Sequence, residues 1–164
     1  MVNPKLAVAL TGRSGEALEE YKKLMLKLNN EVVAAAPEDL LINTHVCRGN
    51  YHSTFFSSGA YDSVADLLFG EENVNAYYLE YDDERSGGFA PLAKVSGDKK
   101  VVLGLVTTKT PALENKELVI NRIHEAAKYV SLDRLYLSPQ CGFASCEIGN
   151  KLTEEEQWLS LIHI

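Results

Sequence analysis

The chain reads as an α/β protein of parallel strands with outer helices. Three observations predict it. Four short apolar segments alternate with helix-length segments, the third of them (100–106) is an unbroken apolar run, and each of the four closes on polar residues. A continuous apolar run is what a strand needs when both faces are covered, as in parallel α/β sheets. Four βα units preceded by one unpaired helix result. Such a set can form an open four-stranded parallel sheet or half of a (β/α)8 barrel, since a whole barrel takes about 250 residues and this chain has 164.

Each element follows from its own pattern. Leu18, Tyr21, Met25, Leu28 and Val32 recur at spacings of three and four among Glu and Lys, predicting an amphipathic helix over 15–34 that Pro37 stops. Leu40 to Thr44 is the first strand, ending at His45, and 61–69 is a short helix before Gly70. Val74 to Leu79 is the second strand, followed by the loop Glu80 to Gly88 and a short helix over 89–95. After the third strand, 115–130 forms a helix with Leu118, Val119, Ile123, Ala126, Ala127 and Val130 on one side and Asn115 as its cap. Leu135 to Leu137 is the fourth strand, ended by Pro139, and Thr153 to Glu156 is a capping box for a last helix carrying Trp158, Leu159 and Ile162.

Composition narrows the function. A net charge of -7 with 16 Lys and Arg, none in a stripe, argues against nucleic acid as partner. No apolar run approaches the roughly 20 residues that span a bilayer, so no membrane partner and a cytoplasmic location are expected. Three cysteines, Cys47, Cys141 and Cys146, are an odd set with no disulfide-framework spacing, which points to reduced thiols.

Chemistry gathers at the strand ends. His45 and Cys47 are two apart, so in an extended segment both project to one side and can share one ion. Glu80 closes the second strand and Cys141 follows the fourth. Zinc accepts sulfur, imidazole nitrogen and carboxylate oxygen in a tetrahedral shell, and this set would carry a net charge of -1. Such a site suits activation of a substrate thiol. An alkyl thiol titrates near 8.5, and lowering that to about 7 is worth on the order of 2 kcal/mol in thiolate population. Hydrolysis by metal-bound water is the competing use, but the set is softer than the usual hydrolase ligands.

Longer motifs carry a resemblance. Thr44-His45-Val46-Cys47-Arg48-Gly49-Asn50, the stretch from Tyr78 to Gly87, Gly104 to Lys109, and Leu137 to Phe143 are similar to the C-terminal catalytic part of cobalamin-independent methionine synthases, above all their short single-barrel relatives. The likeness runs from about residue 15 to 162. It implies the C-terminal half of a (β/α)8 barrel and a zinc held by His45, Cys47, Glu80 and Cys141. The implied reaction is methyl transfer from a methyl donor to the zinc-bound thiol of homocysteine. It also implies that the groups holding the amino and carboxylate ends of homocysteine lie on earlier strands, and that residues 1–164 are a single partial domain. The end, Leu161-Ile162-His163-Ile164, is expected to stop short of a full last helix. Self-association, or an N-terminal half supplied separately, is the expected consequence. A non-catalytic zinc-binding α/β fragment is the alternative reading; a decarboxylase on a related barrel would have no use for two thiolates.

Other residues have weaker claims. Cys146 reads as a free thiol, His52 as a polar loop residue with a possible role in orienting substrate, and His124 as a helix-surface residue. Asp82, Asp83 and Glu84 are either a carboxylate network behind the ligands or a solvated loop. Arg48 and Arg85 either clamp a carboxylate and offset the site's charge or form surface ion pairs. Tyr51, Tyr77, Tyr78 and Tyr81 read as packing residues.

Overall fold

The computed structural model describes residues 2–162; Met1, His163 and Ile164, with the expectation attached to the chain's end, lie outside them. The elements run α1 (Pro4–Thr11), α2 (Gly15–Ala34), β1 (Asn43–Val46), α3 (Ala65–Glu71), β2 (Ala76–Glu80), β3 (Lys100–Val106), α4 (Lys116–Ala126), β4 (Leu135–Pro139) and α5 (Glu154–Ile162). Short 3-10 turns cover Tyr61–Ser63, Glu84–Ser86, Ala90–Lys94 and Leu132–Arg134.

The four strands are all parallel and lie in the order β1-β2-β3-β4. Sequential order has a topological consequence. Right-handed crossovers that always advance in one direction place their helices on one face, whereas a doubly wound sheet reverses and covers both. The chain is therefore an α/β unit of half-barrel type, not an independently covered open sheet.

Register separates the two faces. Thr44, Tyr77, Val101 and Leu135 form one row, Val46, Leu79, Leu103 and Leu137 another. Both point to the helices, where Tyr61, Phe69, Tyr77, Tyr81, Phe89 and Leu103 build the core. The intervening row, His45, Tyr78, Val102 and Tyr136, faces the concave side. Tyr78 and Tyr136 there are 40% and 47% exposed.

Several boundaries shift. β1 starts at Asn43 rather than Leu40, because Leu40 is engaged in a turn to the Pro37 carbonyl and Leu41 is 75% exposed. A strand exists only where β2 is beside it, and pairing begins at Asn43 with Ala76. α1 is an additional helix that the short apolar run did not announce; Asn3 caps it by accepting from Leu6 N–H at 3.1 Å. α2 is present, but its buried side is rotated: Leu18, Tyr21, Met25 and Leu26 line the contact with α3 while Leu28 and Val32 face solvent. Leu118 of α4 is likewise exposed. The Asn115 cap and the Thr153–Glu156 capping box form as expected. No described helix is long and apolar enough to cross a membrane.

Candidate metal centre

The C-terminal ends of β1, β2 and β4 converge on one spot. His45, Cys47, Glu80 and Cys141 each present one donor atom there, and all four atoms lie within 4.8 Å of one another. Zinc with bonds of about 2.0 to 2.3 Å holds tetrahedral ligands roughly 3.3 to 3.8 Å apart. Small side-chain rotations close that gap, so the donor set and its spacing fit a borderline-soft divalent ion.

Each ligand is oriented by a neighbour. His45 sits beside Tyr78 in the ladder, and its Nδ1 lies 3.0 Å from the Tyr78 carbonyl. A carbonyl only accepts, so Nδ1 carries a proton and Nε2 is the nitrogen that faces the site. That nitrogen is 4.0 Å from Glu80 Oε1. Glu80 is fully buried; Oε1 accepts from the Arg48 backbone N–H at 3.2 Å and Oε2 from Arg85 Nη2 at 3.4 Å. The Glu80 backbone is fixed too, its N–H donating to the Tyr61 hydroxyl at 2.9 Å. Burial pushes the Tyr61 hydroxyl up to about 12, so it stays a neutral strut. Cys47 Sγ accepts from Gly49 N–H at 3.3 Å, and Cys141 Sγ lies 3.5 Å from Ser145 Oγ.

The two thiols are shifted in opposite directions. Contact with the Cys47 thiol, then with His45, pulls the Cys141 thiol down, while contact with Cys141 and then burial push the Cys47 thiol up. His45 is raised chiefly by its hydrogen bond to Cys141. An open cavity of about 310 Å³ lined by His45, Tyr78, Ser138, Gln140 and Cys141 leads to the centre from the concave face.

The remaining candidates fall into clear places. Arg48 is 1% exposed and donates to the Gly59 carbonyl at 2.7 Å, the Tyr61 hydroxyl at 2.7 Å and the Glu80 carbonyl at 3.3 Å. It is a buried strut, neither a surface ion pair nor a group facing substrate, because its guanidinium lies against the Tyr61 ring, 4.2 Å from the centroid. Arg85 is also covered, 5% exposed at its side chain, and it links Glu80 to Asp82 and Asp83. The acidic loop is thus a network behind Glu80 through two of its three carboxylates, with Glu84 exposed. His52 leans on the Gly149 carbonyl at 3.4 Å, His124 is on the exposed face of α4, and Cys146 is a free thiol outside the four-atom group. Tyr77 and Tyr81 are core residues, whereas Tyr51 and Tyr78 are 62% and 40% exposed.

Sequence reasoning overlooked a polar web beside the ligands. Asn50, Lys109, Gln140, Ser145 and Asn150 join the loops after β1, β3 and β4. The polar cluster Thr107-Thr108-Lys109 at the third strand end was the available signal.

Comparison with known proteins places this arrangement. Residues 16–154 match the family model described as cobalamin-independent synthase, catalytic domain. The uncharacterized protein YxjG of Bacillus subtilis (strain 168) is 52% identical over 151 residues, covering 92% of this chain and 40% of that protein. The methionine synthase of Pyrococcus horikoshii is 29% identical over 101 residues, covering 62% of this chain and 26% of that protein. A crystal structure of a putative vitamin-B12 independent methionine synthase from Listeria monocytogenes superposes with a TM-score of 0.68 at 38% identity, over 93% of this chain and 40% of that one. The chain thus spans about 40% of the length of the relatives it matches over most of its residues.

Proposed function

This chain belongs to the family of cobalamin-independent synthase catalytic domains, and on that footing we propose that it is the metal-bearing part of a methionine-synthase-type methyltransferase. His45, Cys47, Glu80 and Cys141 hold a zinc ion, and the acceptor is a thiol, homocysteine. When bound, zinc stabilises a thiolate at neutral pH and so removes the need for a separate strong base. The observation that supports the reading most is the meeting of four donor atoms from three strand ends within 4.8 Å.

The chain's own residues supply the rest. Tyr78 fixes the His45 tautomer, and Arg85 offsets part of the charge that Glu80 adds to two thiolates. The Tyr61 hydroxyl and the Arg48 backbone hold Glu80 so that its carboxylate does not swing away. The concave cavity gives an incoming thiol access beside Cys141. Rate enhancement further requires the thiol and the methyl donor to be held in line, a contribution of about 7 to 11 kcal/mol when well made. The groups for that task belong to the rest of the barrel.

The runner-up is zinc binding without turnover. It is favoured by the openness of the concave face around Tyr78 and Tyr136, where another half of a barrel would sit. Metal analysis and methyl-transfer assays address the two in turn. About one zinc per chain is expected, lost in Cys47→Ser and Cys141→Ser, reduced in Glu80→Gln and kept in Cys146→Ser; full zinc in both ligand-cysteine variants would end the metal reading. Turnover of homocysteine with a methylfolate donor by the 164-residue chain, abolished by Cys141→Ser, would show that this part alone is a complete enzyme. Zinc without turnover supports the runner-up for the isolated chain.

A further inference from the structure

We propose that Asn50, which is no ligand, is the positioning residue that brings Cys141 to Cys47. The need for one follows from topology. β1 and β4 are the outer strands of the sheet, three strand spacings or roughly 14 Å apart if it were flat. The sulfurs that follow them nevertheless lie within 4.8 Å. Sheet curvature supplies part of the approach. The loop after β4 must supply the rest by turning inward across the mouth.

Asn50 is placed to hold that turn. Its side chain is buried, and Nδ2 donates to the Gly142 carbonyl at 2.6 Å and to Ser145 Oγ at 2.7 Å. Gly142 directly follows Cys141, and Ser145 Oγ is itself 3.5 Å from Cys141 Sγ. On its other side Oδ1 accepts from Lys109 Nζ at 2.7 Å and from Asn150 Nδ2 at 3.1 Å. A primary amide has two donors and two acceptor lone pairs. All four are engaged, two of them on the Cys141 loop.

The base of the clip is rigid. Asn50 stands three residues past Cys47, after Gly49 at φ +100°, where an added Cβ would lie 2.6 Å from Phe56 N. Phe56 and Ser57 N–H both donate to the Arg48 carbonyl, at 2.8 and 2.9 Å. Loop 47–57 is therefore fixed before it reaches across. Asp in place of Asn would keep the acceptor for Lys109 and lose both donors to the Cys141 loop; Leu would keep the bulk and lose everything polar. The clip rests on the proposed metal site for its purpose and on geometry alone for its existence.

The test has a metal-free arm and a metal arm. In the metal-free full chain carrying Cys146→Ser, diamide oxidation joins Cys47 to Cys141, and the rate of that disulfide, read by peptide mass, reports how often the sulfurs meet. Asn50→Asp and Asn50→Leu are expected to slow it at least tenfold in chains that retain the parent's far-UV circular dichroism, with the rates converging in concentrated urea. In the second arm zinc affinity is expected to fall 10- to 100-fold, as for other partners that orient ligands, and the thiolate-to-cobalt absorption of the cobalt-loaded chain should drop toward that of one thiolate. If Asn50→Leu does not fold, Asn50→Asp carries the test, with Ser145→Ala expected to show a smaller slowing. A parent rate of disulfide formation in folded Asn50→Asp overturns the clip whatever zinc does. Slowed disulfide formation in a chain that binds no zinc removes the metal reading and leaves the clip standing.

Discussion

Replacing Gly104 by Ala tests how tightly the two strands that flank β3 are set. Gly104 lies in β3 between Glu80 of β2 and Ser138 of β4. A Cβ built there meets the Leu79 carbonyl oxygen at 2.7 Å and Gln140 Cα at 2.7 Å, both backbone atoms. Ordinary contact begins near 3.4 Å, so each must retreat by about 0.7 Å. The obstacles lie on either side, one in β2 and one just past the end of β4, and β3 cannot move from one without closing on the other. Overpacking of this kind costs typically about 1 to 3 kcal/mol. For a chain of this size about 2 kcal/mol lowers the melting temperature by roughly 4 to 8 °C. The strain also reaches the proposed centre, because Leu79 precedes Glu80 and Gln140 precedes Cys141. Urea unfolding should show a lower midpoint at unchanged slope, and zinc titration against a chromophoric chelator should show weaker binding by tenfold or more. A Gly104→Ala chain with the parent's urea midpoint and zinc affinity would refute the close approach of β4 to β3.

Three other outcomes follow from named contacts. Arg48→Met removes a buried guanidinium that serves Gly59, Tyr61 and Glu80, and leaving those partners unmatched should cost about 2 to 4 kcal/mol in urea unfolding; a loss under about 0.5 kcal/mol would contradict its role as a strut. Glu72 is buried and its pKa is raised by that burial, with Asn29 and Lys99 opposing. A folded-state pKa above the unfolded value means that its penalty is absent below the unfolded value near 4.5 and builds as pH rises through the raised one. The stability of Glu72→Gln relative to the parent should therefore increase from pH 4 to pH 7, and a difference independent of pH would sink the assignment. The outer edges of β1 and β4, unpaired among the described residues, with Tyr78 of β2 and Tyr136 of β4 exposed on the concave face, should make the isolated chain self-associate; light scattering from a monodisperse monomer across a wide concentration range would argue otherwise.

The sequence by itself disclosed the α/β class, the four strands, the capping residues and the grouping of His45, Cys47, Glu80 and Cys141. These were legible because each depends on local rules: an apolar run long enough for a strand, a period of two that sends His45 and Cys47 to one side, a Thr-to-Glu box at a helix start. The family likeness joined the dispersed donors into one set, and the parallel order β1-β2-β3-β4 gave them a common rim.

Tertiary structure decided what depends on partners distant in the chain. Leu40 and Leu41 have strand-like side chains but no strand, since β2 does not extend to them. α2 turns Leu28 and Val32 outward because α3, not the helix's own apolar count, selects the buried face. Arg48 and Arg85, two charges in polar loops, read in sequence equally as surface ion pairs or as groups serving the site, and only the structure shows them buried, where Tyr61 and the Asp82–Asp83 pair receive them. Asn50 and Asn150 are 100 residues apart, and no local pattern records that they meet. A hydrogen bond between two polar loop residues has no periodicity, only a location, and that location exists once the sheet has curved the ends of β1 and β4 toward each other.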